Sequence, residues 1–310
     1  MPGIGIIANP HSKLNKRYPQ ELRLLQELIG QKGIFSLSQD LDDLDRIIIE
    51  YESKDIDIII INGGDGSISR AISRIIAIYG TQSLPKICLL GGGTMNLVAS
   101  QLKIQGSPHK ILKRLLKKLE QKQPLKTQRL ATLKIGKIYG FLYADQSSTA
   151  ILEEFYEKKS GHIGATWLTA RLIQSFLLRG SFIKRMIRAR QLQASFKPTG
   201  RIHGPALGCF AGTITKLPMG LQFLPLARLR PGHFQVTVVT CSAEKILWYL
   251  PLIMLQQKEG PAIGKHSFCC EEANLRYEES VAFTVDGEIY SMPDGSLKIE
   301  AGPELEFFCI

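Results

Sequence analysis

The hydrophobic positions in the first third of the chain follow two alternating spacings. Continuous β-branched runs such as Ile56–Ile61 predict strands buried on both faces, whereas apolar residues three and four positions apart, as in Ser67–Tyr79, predict helices. The same alternation predicts strands at Gly3–Ala8, Ile34–Leu37 and Ile87–Leu90, and helices at Tyr18–Ile29, Leu41–Tyr51 and Ile111–Leu119. Strands that alternate with helices predict an α/β domain with a parallel sheet.

The pattern changes after about Pro124, where strand-like segments are separated by glycine and proline turns. These segments are Ala131–Leu142, Gly204–Thr215, Phe234–Thr240, Asn274–Val285 and Ser296–Phe308. We therefore predict an N-terminal α/β domain over 1–125 and a β-rich, sandwich-like domain over 126–310. The second domain carries a basic, mostly helical insert at about 163–196, and its last residues are expected to return to the first domain.

The charge of the chain is concentrated in one region. The 310 residues include 39 Lys and Arg against 28 Asp and Glu, which gives a net charge of +11 and suggests an anionic partner. The segment 158–243 holds 13 of the basic residues and no acid, so the rest of the chain sums to −2. Nucleic acid, an acidic membrane surface and a phosphorylated substrate all fit this excess.

The cysteines and the apolar runs indicate where in the cell the protein is located. The six cysteines lack the spacing of a zinc site or a disulfide framework, which favours reduced thiols in a cytoplasmic protein. The first residues do not have the pattern of a signal peptide, and no apolar run reaches the roughly 20 residues that span a bilayer. We expect a cytoplasmic protein that at most lies on the cytoplasmic face of a membrane.

Two glycine-rich turns each follow a predicted buried strand. The first, Asn62–Ser67, has glycines that let backbone N–H groups approach a phosphate, and the helix behind it directs its N-terminus to the same place. Asp65 would there meet a nucleotide-bound magnesium ion, although a plain turn with Asp65 capping the helix is the alternative. The second, Gly91–Asn96, would lie at the same sheet edge. Neither turn fits the P-loop or the dinucleotide fingerprint.

Four short motifs, in order, resemble the diacylglycerol and sphingosine kinase catalytic-domain family. Gly63–Ser67 resembles the Gly-Gly-Asp-Gly-Thr/Ser nucleotide loop that this family shares with NAD kinases and 6-phosphofructokinases. The other three motifs are specific to the lipid kinases: Asn9–Ser12 resembles Asn-Pro-x-Ser, Gly92–Asn96 the Gly-Thr/Ser-x-Asn loop, and Val285–Glu288 the late Asp-Gly-Glu motif. Leu224–Ala227 is similar to the Pro-x-Ala approach to a turn in the second domain.

The resemblance implies an ATP- and Mg²⁺-dependent lipid kinase with a nucleotide domain, a β-sandwich domain and a cleft between them. Glu288 would be the general base toward a lipid hydroxyl, Asp65 would lie near the metal, and Asp286 could bind the metal or tune Glu288. A β-hairpin turn with solvated acids is the alternative for Asp286 and Glu288. The ATP-binding residues implied are Asn9, Ser38, Gly63, Gly64, Asp65, Gly66, Ser67, Gly93, Thr94 and Asn96.

Departures from the family pattern leave two alternatives open. The nucleotide-loop helix continues with Ser69 and Arg70 instead of Asn-Glu, and Leu97 replaces an aspartate. The turn Arg230–Gln235 has no carboxylate where bacterial relatives bind a structural magnesium, so we expect that metal to be absent. A catalytically silent nucleotide- or lipid-binding homologue, or a soluble-metabolite kinase of the NAD kinase or phosphofructokinase type, therefore remains an alternative function.

The basic insert mixes cationic and apolar residues in a way typical of helices that lie on anionic membranes. The predicted membrane-contact residues are Trp167, Arg171, Arg179, Lys184, Arg185 and Arg188. A helix packed on the sandwich with a solvated basic face is the alternative. Without a nucleic-acid-binding motif we expect no nucleic-acid partner. The partners expected are a lipid substrate and an anionic membrane surface, and a homodimer is kept as a hypothesis.

Overall fold

The described residues form two compact units. The structure is a computed structural model that describes residues 3–91, 97–146, 149, 188–198, 200–215, 223–240 and 264–310. The first unit lies within 1–132, 137–140 and 302–310, and the second within 133–136 and 141–301. The chain thus leaves the first unit and returns to it with its last residues.

The first unit begins with strands and helices in alternation. Its strands are β1 (Gly3–Ala8), β2 (Ile34–Leu37), β3 (Ile56–Asn62) and β4 (Lys86–Leu89). Its helices are α1 (Lys13–Arg17), α2 (Gln20–Ile29), α3 (Leu41–Ser53), α4 (Asp65–Tyr79), α5 (Leu97–Gln101) and α6 (Pro108–Glu120). The predicted α/β class is confirmed, and the long elements begin and end within three residues of the hydrophobic patterns.

The sheet of this unit is parallel in the order β2, β1, β3, β4. Next to β4 lies the end of β16 (Ser296–Phe308), which pairs in parallel through Phe307 and Ile87. Two further strands, β5 (Thr127–Ile135) and β6 (Ile138–Gly140), continue from β16. Because the parallel strands share one direction, their carboxyl ends lie along one edge of the sheet.

Both faces of the parallel sheet are buried. On one face, Ile58 and Ile60 of β3 belong to the same apolar cluster as Leu25 of α2 and Leu112 of α6. On the other face Tyr51 of α3 lies over Gly5, where a Cβ atom would come within 2.3 Å of the ring. The fully buried hydroxyl of Tyr51 donates to the carbonyl of Ile6 at 2.8 Å. The β-branched run of β3 is therefore a central strand covered on both sides, as its pattern predicts.

The second unit contains two antiparallel sheets. Its further strands are β7 (Leu142–Asp145), β8 (Arg190–Lys197), β9 (Arg201–Ala206), β10 (Gly208–Gly212), β11 (Phe234–Val239), β12 (Lys265–Cys270), β13 (Glu272–Tyr277), β14 (Val281–Val285) and β15 (Glu288–Met292). One sheet has the order β12, β11, β10, β7, β14, β15, and the other joins the start of β16 to β13, β8 and β9. The rings of Phe196 and Phe268 stack at 4.4 Å between them, which gives the predicted sandwich.

The predicted end of the helical insert is wrong. We expected helical structure to about residue 196, but Arg190–Lys197 is strand β8. Leu192, Ala194 and Phe196 are buried, while the residues between them face outward, so this stretch has the period of two of a strand. The run of basic residues before it hid that alternation. The rest of the insert, 163–187, lies outside the described residues.

Several predicted strands are longer than the observed ones. Ala131–Leu142 is divided between β5, β6 and β7, with a turn at Gly136, whose φ of 59° suits glycine. Gly204–Thr215 and Asn274–Val285 likewise each span two strands.

Two expectations about composition concern the described residues only. Within that part of the chain no helix is long and apolar enough to cross a bilayer. Its cysteines, at positions 88, 209, 269, 270 and 309, are free thiols.

Candidate functional site

Three of the predicted nucleotide contacts meet at the carboxyl edge of the parallel sheet. Asn9 follows β1, Ser38 follows β2, and Ser67 lies in the first turn of α4 after β3. All three line one cavity of about 60 Å³, together with Arg70. This volume is far below the roughly 300–1,000 Å³ of a typical ligand pocket, so the cavity would hold a part of a nucleotide.

Hydrogen bonds lock the end of β1 to the turn before α4. The Asn9 side-chain amide donates to the Ser67 hydroxyl at 2.8 Å, and its backbone N–H donates to the Asn62 carbonyl at 2.9 Å. The side-chain oxygen of Asn9 accepts a hydrogen bond from the backbone N–H of His11 at 2.8 Å. The asparagine of the Asn-Pro motif therefore positions two loops, and any ligand contact would use the same side chain.

Two buried asparagines near Asn9 were not among the predicted site residues. The Asn15 side-chain amide donates to the Asn9 backbone carbonyl and to the Asn62 side-chain oxygen, both at 2.7 Å. The other amide atoms, Oδ1 of Asn15 and Nδ2 of Asn62, are buried without a hydrogen-bond partner. The sequence signal for Asn62 was its place at the end of an isoleucine run. Asn15 had no comparable signal, because its partners come together only in the fold.

The turn between β3 and α4 needs glycine at its first position. A Cβ atom on Gly63 would lie 2.6 Å from the Cβ of Ser67, which is closer than side-chain carbons approach each other. Helix α4 begins at Asp65 with Gly64 as its N-cap, two residues earlier than predicted, so Asp65 occupies the first helical position and does not cap the helix. The N-cap makes no side-chain hydrogen bond to the first turn.

These features fit a magnesium-bound nucleotide phosphate. The first turn of α4 receives no hydrogen bond from a capping side chain, and such helix starts favour anions. The carboxylate of Asp65, in that same turn, is a hard oxygen ligand of the kind that Mg²⁺ prefers. Gly93, Thr94 and Asn96 of the second glycine turn lie outside the described residues.

Ser69, which departs from the family pattern, helps to hold α4 against β6. The hydroxyls of Ser69 and Ser73 both donate to the carbonyl of Tyr139, at 3.3 and 3.0 Å, and the Tyr139 N–H donates back to Ser73. Ser69 is thus buried where α4 packs on β6. Arg70 is exposed and lines the cavity beside Asn9 and Ser38.

The predicted acidic pair lies on the hairpin of β14 and β15. Asp286 and Gly287 form the two-residue turn with φ of 50° and 90°, and Val285 pairs with Glu288. Asp286 is only 5% exposed, so the interpretation of a solvated turn acid is wrong for this residue. Its carboxylate accepts from the backbone N–H groups of Phe141 and Leu142, with Oδ1 at 3.0 and 2.9 Å. Asp286 therefore anchors the turn of the hairpin, and the half-buried Glu288 is the first residue of β15 after that turn.

The turn before β11 is held by an amide. Gln235 is fully buried; its side-chain oxygen accepts from the Leu226 N–H at 2.6 Å, and its side-chain amide donates to the Thr237 hydroxyl at 3.0 Å. Gly232 has a φ of 69°, which suits the turn. The Gln235 side chain thus ties Leu226 to the start of β11, across the turn in which we expect no structural metal.

A second buried carboxylate, Asp145, was also missed. It ends β7 with no exposed surface, and it accepts from the Cys209 N–H at 2.7 Å and from the hydroxyls of Tyr143 and Tyr277 at 2.9 and 2.7 Å. Burial raises the pKa of Asp145 to about 6, against the lowering effect of these donors. Burial also raises the pKa values of both tyrosines.

Of the predicted membrane contacts, the described part of the chain includes Arg188, which is exposed just before β8. The others, Trp167, Arg171, Arg179, Lys184 and Arg185, lie outside it.

Part of the chain matches a known protein family. Residues 4–127 match the family described as the diacylglycerol kinase catalytic domain. No curated protein sequence matches the chain significantly. The resemblance seen in the motifs is therefore confirmed as a match of residues 4–127 to this catalytic domain.

Solved structures similar to the whole chain come from Bacillus anthracis str. Sterne and are described as diacylglycerol kinases. One has 14% identity and a TM-score of 0.72, with 98% of this chain and 96% of that chain covered. A second has 16% identity and a TM-score of 0.71 with the same coverage of both chains, 98% and 96%. A third has 13% identity and a TM-score of 0.68 over 99% and 96%. At these identities the likeness shows the fold.

Proposed function

We propose that this protein is a kinase that transfers a phosphoryl group from Mg-ATP to the hydroxyl of a lipid. The acceptor would be a diacylglycerol, a sphingoid base or a related lipid. The observation that carries the proposal is the match of residues 4–127 to a kinase catalytic domain. That segment contains the glycine turn, Asp65 and the junction of Asn9 with Ser67. The full-length fold similarity to structures described as diacylglycerol kinases supports a lipid as the acceptor.

The proposed nucleotide contacts lie at the carboxyl edge of the parallel sheet. Gly63, Gly64 and Gly66 would let the backbone approach the phosphates, and the uncapped first turn of α4 would donate N–H groups to them. Asn9, Ser38 and Ser67 would hold the nucleotide through their shared cavity, and Gly93, Thr94 and Asn96 would add the second turn. Asp65 would hold Mg²⁺. When bound, Mg-ATP supplies the phosphoryl group.

Glu288 would take the proton from the acceptor hydroxyl as that oxygen attacks phosphorus. One carboxylate is sufficient for this role, because phosphoryl transfer depends mainly on positioning and charge neutralisation. Asp286 would contribute by holding the turn: its bonds to Phe141 and Leu142 fix the strand from which Glu288 projects.

The acceptor is identified by an assay with labelled ATP and Mg²⁺. Diacylglycerol, sphingoid bases and related lipids are offered in mixed micelles, beside NAD and sugar phosphates. We expect transfer to a lipid. Transfer only to NAD or a sugar phosphate would overturn the lipid proposal, and ATP binding without transfer to any acceptor would establish a silent homologue.

A further inference from the structure

Four neighbouring strands of the second unit present an open polar face. In the order β16, β13, β8, β9, outward side chains align in two cross-strand rows. These rows are Lys298, Asn274, Ser195, Arg201 and Ser296, Arg276, Gln193, His203. They line a shallow depression of about 750 Å³. We call these eight residues the polar sheet face.

Lysines already neutralise Glu272 and Glu300, the acids in this part of the strands. Lys298 contacts Glu272 at 3.0 Å and Glu300 at 2.9 Å, while Lys197 lies 3.6 Å from Glu272. A third lysine, Lys134, lies 3.6 Å from Glu300. Hydrogen bonds from Lys298 and Asn274 lower the pKa of Glu272 to about 2, so this acid stays ionised and engaged with its lysines. No other acid occurs in 190–206, 272–277 or 296–301.

Two arginines of the polar sheet face are left without an acidic partner. Arg201 and Arg276 are exposed, and neither makes an ion pair or a side-chain hydrogen bond within the described part of the chain. They lie two strands and two residues from each other. The usual spacings of a β-sheet therefore put their Cα atoms at a distance of about 12 Å. Each guanidinium can therefore contact a separate phosphate, with the amides of Gln193 and Asn274 and the hydroxyls of Ser195 and Ser296 around it.

We propose that the polar sheet face docks on the headgroup layer of an anionic lipid bilayer. The proposal rests on the proposed function, in which the acceptor is a lipid. A bilayer surface is broad and repeats its phosphates, which matches a face four strands wide with separated arginines and neutral hydrogen-bonding groups. The contact is electrostatic, because the eight side chains include no large apolar group that would insert among the acyl chains.

Nucleic acid fits this face less well. A duplex is read by an element narrow enough to enter a groove, such as a helix or a two-stranded ribbon. Single strands are held by aromatic side chains on which bases stack, and none of the eight residues is a phenylalanine, tyrosine or tryptophan.

The test is co-sedimentation of the full chain with vesicles. Vesicles of phosphatidylcholine alone are compared with vesicles of equimolar phosphatidylcholine and phosphatidylglycerol, at low and high salt. We expect binding to the anionic vesicles only, weakened by salt. Arg201→Ala/Arg276→Ala should lower the affinity about 25-fold, which is about fivefold for each basic residue. Arg201→Lys/Arg276→Lys should retain most of the binding.

The control variant removes two positive charges, as the test variant does, but from helix α6. Lys113 and Lys117 are exposed on α6, and Lys113→Ala/Lys117→Ala should bind vesicles like the wild type. Equal loss in both double variants, binding to neutral vesicles, or tighter binding to a short DNA duplex in the same buffer would each overturn the proposal. Sedimentation needs neither nucleotide nor turnover, so its result is independent of the kinase assay.

Discussion

At the scale of single residues, the two acids assigned to chemistry differ in how the chain holds them. Asp65 is the first residue of α4, and Glu288 follows a hairpin turn anchored by Asp286. The motifs located both acids in the sequence. They could not show that Asp286 is buried against Phe141 and Leu142, because those partners lie 145 and 144 positions away.

Replacing Glu288 with glutamine should remove the proton acceptor and keep its shape. We expect Glu288→Gln to lower kcat by about 10²–10⁴, the usual contribution of a general base, with an unchanged unfolding transition. Turnover of labelled ATP measures the effect, and Glu278→Gln, an exposed acid between β13 and β14, is the matched control. Near-normal turnover of Glu288→Gln would remove Glu288 from the role of base.

Asp65 is tested against an acid in the first turn of another helix, Asp42 of α3. Asp65→Asn should abolish Mg²⁺-dependent nucleotide binding, because the amide is a much weaker ligand for the ion. Asp42→Asn changes the first turn of α3 in the same way and should bind nucleotide normally. Calorimetric titration with Mg-ATP measures both. Equal affinities in the two variants would contradict a metal-binding role for Asp65.

Asp145 makes stability depend on pH. Its folded pKa of about 6 lies above the value of about 3.9 in an unfolded chain, so the folded state holds this proton more tightly. Asp145 therefore contributes its full stabilisation below about pH 4. As pH rises through about 6 this stabilisation is lost, and the free energy of unfolding falls by roughly 3 kcal/mol.

Urea unfolding of the wild type and Asp145→Asn from acid to neutral pH measures this contribution. We expect the wild type to lose stability relative to the variant over that window. The exposed Asp294→Asn should show no such difference. A pH-independent gap between the wild type and Asp145→Asn would contradict a raised pKa.

At the scale of elements, burial on both faces made the first unit predictable. The runs in β3 and β4 and the helical spacing of α3 and α4 each carry enough apolar residues to fix the element type. The second unit was harder, because β8 and β15 alternate polar and apolar residues over only a few positions. Local sequence also cannot distinguish one strand from two when a turn such as Gly136 interrupts a hydrophobic stretch.

The turn from β3 into α4 depends on glycine at position 63, because a Cβ atom there would have no room. Gly63→Ala should lower the unfolding free energy by about 1–3 kcal/mol, because its Cβ would collide with Ser67. Ser67→Gly removes the colliding atoms, so the double variant should be less destabilised than the sum of the two single changes. Urea unfolding of the four proteins measures the coupling. Additive losses would show that the contact with Ser67 is not the cause.

At the scale of the whole molecule, β16 serves both units. Its start pairs with β13 in the second unit, and its end pairs with β4 in the first. The sequence predicted the strand Ser296–Phe308 and the return of the last residues to the first domain. It could not predict which strand would be the neighbour, because that pairing joins residues as distant as Ile87 and Phe307.

Phe307 should be a major source of stability for the first unit. It has no exposed surface, so Phe307→Ala should lower the unfolding free energy by about 3–5 kcal/mol. Leu297→Ala, in the half-buried start of the same strand, should cost less. Hydrogen exchange of the amides of β3 and β4 should rise in the first variant. Unchanged protection there would contradict the role of β16 in the parallel sheet.

The course of β16 also sets an order of events during synthesis. A ribosome makes β4 well before β16, the strand that covers the open side of β4, because β5 to β15 are made between them. Until then β4 presents unpaired backbone groups, which are a template for pairing with other chains. The segment β1 to β4 must therefore wait for β16 to be made, and during that interval it is a natural client for a chaperone.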